Sequence, residues 1–231
     1  MKKGLRSFLK AFAIVAFVAA IWVGMALGYA LNQSAAMGDL YKIKYGVTGY
    51  PQGNVLLVGS SSIQVWQGSA RDLSPYHTDN IGISGSVVDD WFPLVDTLIK
   101  PFGPVAVVVY VGSNDLHALF RSPEDTAEDV ELLIDDIHAA LPDAVIYYVS
   151  VYTAAATEDL REQDERFNEL AKEAMGERGY ARFVDTASAL TGENGDIRDD
   201  IFLSDLVHLN EAGYALWTPA IRDALSLDFE S

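Results

Sequence analysis

The chain has 231 residues, 33 acidic against 16 basic side chains, a formal net charge of −17 and no cysteine. Its length supports one domain with short extras. Its apolar content argues against disorder, and its acidic balance, with no basic stripe beyond the first ten residues, argues against nucleic acid as a partner. The lack of cysteine excludes disulfide frameworks, thiol catalysis and Cys-based metal sites.

The amino terminus carries Lys2, Lys3, Arg6 and Lys10, followed by an uncharged apolar run from Ala11 to Leu31. As a helix this run spans about 31 Å, the thickness of a bilayer's hydrocarbon core. We expect residues 1–10 to be a cytoplasmic basic segment and 11–31 a transmembrane helix or signal anchor. The positive-inside bias then puts the remainder outside the cytoplasm, with the membrane as a partner. Small residues at Gly28-Tyr29-Ala30 leave signal cleavage and secretion open. Residues 32–53 read as a polar, Gly-punctuated linker able to dock onto the domain, which we assign to 54–231.

From Asn54 onward, short apolar runs alternate with amphipathic ones. Val55 to Val58, Val105 to Val111 and Ala144 to Val149, rich in Val, Ile and Tyr, read as buried parallel strands. Shorter strands are expected near Thr78–Ile81 and Ala181–Val184. Ser122-Pro123-Glu124-Asp125 gives an N-cap, a first-turn proline and first-turn acids, and starts a helix that carries Val130, Leu133, Ile134, Ile137 and Leu141 on one face. A second helix is expected from near Thr157 to Gly176. A third follows Asn210, with Pro219 ending or kinking it. The pattern predicts a three-layer α/β/α sandwich around a mostly parallel sheet of about five strands, with the site beyond the strands' carboxyl ends.

Four segments fall in loops at that edge: Gly59-Ser60-Ser61-Ser62, Gly82-Ile83-Ser84-Gly85, Gly112-Ser113-Asn114-Asp115, and Asp205-Leu206-Val207-His208. Together they hold the parts of acyl transfer: a hydroxyl nucleophile, an imidazole base and donors for an oxyanion. Each alone is also an ordinary turn. Asp-x-x-His occurs a second time, at Asp135 to His138, where it lies within an amphipathic helix and reads as a solvated edge. His117 could border the site, and His77 is the remaining histidine. A metal centre would need Asp205, His208 and His117 or His77, but no histidines are paired at i, i+4 and no HExxH is present.

The order of the four segments resembles the SGNH hydrolases, also called the GDSL-type esterase/lipase family, over about Asn54 to Leu225. The nearest branch looks like the lysophospholipase and platelet-activating-factor-acetylhydrolase-like esterases. The resemblance implies a flavodoxin-like sheet and makes Ser61 the nucleophile, His208 the base and Asp205 its orienting acid. It implies an oxyanion hole from the Ser61 and Gly85 backbone N–H groups and the Asn114 side chain. No metal or other cofactor is implied, and the substrate class is a small-molecule or lipid ester. Position 60 is Ser where many members carry Asp, and the flanking Ser60 and Ser62 leave the register to the resemblance, with Ser60 the leading rival. A glycan O-acetylesterase with the same triad and a non-catalytic, membrane-tethered binding protein are the alternatives.

Overall fold

The computed structural model describes residues 33–192 and 194–229. The expected membrane-spanning run at 11–31 lies outside the described residues. Among those described, no helix is long and apolar enough to cross a membrane.

Residues 33–48 form a helix, α1, so most of the segment read as a linker is helical. It docks through Tyr45, which is buried edge-on against Phe102 with ring centroids 4.7 Å apart. Five strands follow: β1 (Val55–Gly59), β2 (Thr78–Asn80), β3 (Ala106–Tyr110), β4 (Val145–Val149) and β5 (Ala181–Val184). They pair in parallel throughout, in the order β2-β1-β3-β4-β5. This is the flavodoxin-like order, and its switch point lies between β1 and β3.

Alternation along each strand divides the core into two layers. Leu56, Val58, Val107 and Val109 face one cluster, while Val55, Leu57, Val108 and Tyr110 face the other. Both faces must be covered, so the central strands β1, β3 and β4 carry no charged residue, while the edge strands β2 (Thr-Asp-Asn) and β5 (with Arg182) are partly polar. Withdrawing a side chain such as Leu57 from water contributes about 1.5–3 kcal/mol.

The helices used below are α2 (Ser61–Gln64), α3 (Ser113–His117), α4 (Pro123–Ala140), α5 (Arg161–Gly176) and α6 (Glu211–Asp228). In α4 the Ser122 hydroxyl accepts from the Asp125 N–H at 3.0 Å, the cap its sequence announces. The second expected helix is divided: a 3₁₀ segment covers Ala155–Leu160, with non-helical φ/ψ at Thr157, and α5 starts only at Arg161. Pro219 does not end α6, which runs on to Asp228. Burial of Trp217, Ile221 and Leu225 against the sheet offsets the backbone bond that proline cannot make. The second Asp-x-x-His lies at a solvated edge of α4, with the Asp135 side chain 44% exposed, but its side chains are also engaged. His138 stacks on Tyr180 at 3.6 Å, and Asp135 accepts from the Arg178 Nε and the Tyr180 hydroxyl, each at 2.6 Å.

Candidate active site

Strand β1 turns into α2 through Gly59 and Ser60. A Cβ on Gly59 would lie 2.1 Å from the Tyr110 carbonyl oxygen, and its φ is +149°, so only glycine fits this turn. The three serines that follow differ sharply. Ser60 is buried, and among the described residues its hydroxyl has no hydrogen-bond partner. The Ser62 hydroxyl, also buried, lies 2.9 Å from the Tyr152 hydroxyl. Only Ser61 is half-exposed. As the first residue of α2, it presents a backbone N–H with no intrahelical acceptor.

The Gly82 to Gly85 loop is bolted to α2. A Cβ on Gly82 would meet the Gln64 backbone nitrogen at 2.3 Å. The Ile83 N–H donates to the Gly59 carbonyl at 2.8 Å, and Ser84 bonds the Gln64 side chain through its N–H and hydroxyl. Gly85 is exposed with φ +75°.

Past β3, Asn114 lies in the first turn of α3, and its Nδ2 donates to the Ser86 carbonyl at 2.8 Å. One amide hydrogen thus fixes the side chain beside the Gly85 loop and the other remains to donate. Its neighbour Asp115 is fully buried and accepts from the Val88 N–H at 3.2 Å. Burial pushes this carboxyl up to about 6.

The last loop is held by a local turn. The Leu206 N–H donates to the Leu203 carbonyl at 2.9 Å, and Leu206 has a left-handed φ of +57°. Asp205 Oδ1 accepts from the Val207 and His208 N–H groups at 2.9 and 3.0 Å, while Oδ2 meets His208 Nδ1 at 2.8 Å. His208, through its side chain and then its backbone N–H, holds the Asp205 carboxyl down at about 2. Engaging Nδ1 leaves Nε2 for other work.

Tyr152, after β4, joins this loop to the Ser60–Ser62 turn. Its hydroxyl donates to the Val207 carbonyl at 3.1 Å, so at the Ser62 contact it accepts. Burial raises this phenol to about 12. One oxygen therefore bridges the residue after Ser61 to the residue before His208. No hydrogen bond joins Ser61 to His208 among the described residues; such bonds commonly tighten only with substrate. Tyr152 was missed in the sequence, where nothing distinguishes it from the other buried tyrosines. His117 points elsewhere, to Asp164, with Nε2–Oδ1 2.7 Å. His77 is exposed and precedes β2, at the amino edge of the sheet. The residues of the metal alternative are thus dispersed, and among the described residues no cluster of metal-ligating side chains forms.

Comparison with known proteins agrees with this architecture. The family model for GDSL-like Lipase/Acylhydrolase matches residues 46–216. The alpha1 subunit of platelet-activating factor acetylhydrolase IB from Bos taurus is 28% identical over 183 residues, covering 75% of this chain and 74% of that protein. Among solved structures, a GDSL-like lipase from Bacteroides thetaiotaomicron superposes with a TM-score of 0.65 at 17% identity, covering 83% of this chain and 98% of that one. A family 3 carbohydrate esterase from Talaromyces cellulolyticus gives 0.61 at 17% identity, covering 76% and 97%.

Proposed function

The chain belongs to the GDSL-like lipase/acylhydrolase family, a family of ester-cleaving enzymes, and on that premise we propose that it hydrolyses carboxylic esters by a Ser61–His208–Asp205 triad. His208 Nε2 takes the Ser61 proton as the hydroxyl attacks the ester carbonyl, and returns it to the departing alcohol. An acyl-Ser61 intermediate remains, and water activated by the same imidazole releases the acid. Asp205 fixes the tautomer with the Nδ1 proton facing it and stabilises the imidazolium. The Ser61 and Gly85 N–H groups and the unspent Asn114 amide hydrogen hold the oxyanion.

The observation that carries this reading is the Tyr152 bridge. It ties the Asp205–His208 turn to the loop in which Ser61 alone of three serines is accessible. The apolar run at 11–31 and the cations before it support a catalytic domain held outside the cytoplasm by an amino-terminal anchor. The kinetic test is pre-steady-state hydrolysis of p-nitrophenyl acetate. An initial burst of one p-nitrophenol per enzyme is expected, absent in Ser61→Ala. Hydrolysis that survives in Ser61→Ala contradicts the assignment.

A further inference from the structure

A cavity of about 410 Å³ lies between the end of α2 and the loop carrying His208, and the steps above make no use of it. Its lining includes Val65, Trp66, Leu203, Leu209 and Tyr214. The two walls are each one hydrogen bond from the reacting pair. The Val65 N–H donates to the Ser61 carbonyl at 2.8 Å, and the Leu203 N–H donates to the His208 carbonyl at 2.7 Å.

One side of the lining is apolar, built by Val65, Trp66, Leu203, Leu209 and Tyr214. Trp66 and Tyr214 stack in parallel at 5.5 Å, and their polar atoms are spent on the protein: Trp66 Nε1 on Asp72 at 2.9 Å, the Tyr214 hydroxyl on the Ser62 carbonyl at 2.7 Å. What they offer the cavity is carbon. Leu203, Leu206 and Val207 are 44%, 40% and 36% exposed, so the loop beside the cavity presents several large apolar side chains together, the kind of exposure that marks a ligand contact. Polar groups enter at Gln67, Asn210, Asp72, Arg71 and Glu211; the Asp72 carboxylate is occupied by Trp66 and Arg71, and Arg71 and Glu211, both solvent-exposed and 4.0 Å apart, form a pair weak enough to part.

We propose that this cavity seats the alkyl chain of the ester substrate, with Leu203 a specificity-determining residue and medium-chain alkyl esters the preferred class. The proposal rests on the Ser61–His208 reading for the position of the ester. Each methylene withdrawn from water raises affinity roughly fourfold, so a seated chain separates long esters from acetates. The chain could arrive on the acyl or the alcohol side of the bond.

The test compares wild type with Leu203→Trp, which narrows the cavity, and Leu203→Asp, which charges it; the exposed position tolerates both. One arm varies the acyl group, from p-nitrophenyl acetate to octanoate, and the other varies the alcohol, from ethyl to octyl acetate. In at least one arm, the ratio of kcat/KM for the long ester to that for the short one is expected to fall about tenfold or more in both variants. The arm that responds identifies the seated end. Equal effects on short and long esters, or none, overturn the proposal. A binding readout separates it from the catalytic reading: octan-1-ol titrated calorimetrically into Ser61→Ala protein is expected to bind, and to bind at least about tenfold more weakly once Leu203→Trp is added. Octanol binding with hydrolysis intact in Ser61→Ala removes the nucleophile assignment and keeps the cavity. Absence of octanol binding removes the cavity.

Discussion

Two histidine–aspartate pairs sit beyond the carboxyl ends of the strands, and their environments are opposite. His208 and Asp205 are three residues apart, and both are partly exposed. Asp205 spends its oxygens on its own turn and on Nδ1. His117 and Asp164 are 47 positions apart, and the Asp164 side chain is only 1% exposed. There the imidazole commits Nε2 to the carboxylate, whose second oxygen accepts from the Thr153 hydroxyl at 2.7 Å. The same two residue types thus serve different ends. A pair in a solvent-facing loop with a free Nε2 suits proton transfer, whereas a pair locked between α3, α5 and the segment after β4 suits a clamp.

The sharpest way to break the contrast is to remove each imidazole in turn. His208→Gln is expected to lower kcat by about 10⁴–10⁶-fold, while His117→Gln leaves kcat near the wild-type value; comparable losses in steady-state assays would erase the distinction. Asn114→Ala comes next, with a loss of about 10²–10³ in kcat and, from the lost bond to the buried Ser86 carbonyl, a destabilisation of only about 1 kcal/mol. A stability loss that matches the loss in kcat would mean that Asn114 supports the fold rather than the oxyanion.

Stability should reverse the order of the two histidines. Without His117, the buried Asp164 carboxylate loses a hydrogen-bond partner, at about 1–3 kcal/mol in urea unfolding. His208→Gln, in an exposed loop, is expected within about 0.5 kcal/mol of wild type.

The pH dependence sharpens the comparison with smaller effects. Asp205 is held at about 2, so it stays ionised throughout the working range. Its small contribution to stability is present above the ordinary carboxylate value of about 4 and fades as pH falls toward 2. Asp115 has the opposite sign. Raised to about 6 by burial, it binds its proton more tightly in the folded state, so stability declines from about pH 4 to pH 6. Asp115→Asn removes that decline, which unfolding midpoints at pH 4.5 and 7.5 would measure; equal slopes in both proteins would contradict the sign.

Local patterns made much of this legible before the structure. β5 falls at Ala181–Val184 as expected, β1 extends its expected run by one residue, and α4 starts at the proline its cap announces. All three are set by neighbours in sequence: apolar runs between turn residues, or a Ser-Pro start. The Asp205–His208 pairing was equally visible because it spans one turn. What stayed hidden depends on distant partners. The Tyr152 bridge joins positions 90 and 55 residues away, and the His117–Asp164 clamp crosses from α3 to α5. Of the two outcomes the local rule gives Pro219, ending the helix is not met, because the rule ignores the burial around it. The serine register was undecidable from three identical residues, and only their unequal exposure distinguishes them.

Mapping the serine that reacts with a fluorophosphonate probe tests the account most directly. Intact mass and peptide analysis should find a single adduct on Ser61, retained in Ser60→Ala and lost in Ser61→Ala and, for want of a base, slowed strongly in His208→Gln. An adduct on Ser60 or Ser62, or labelling that persists in Ser61→Ala, would contradict it.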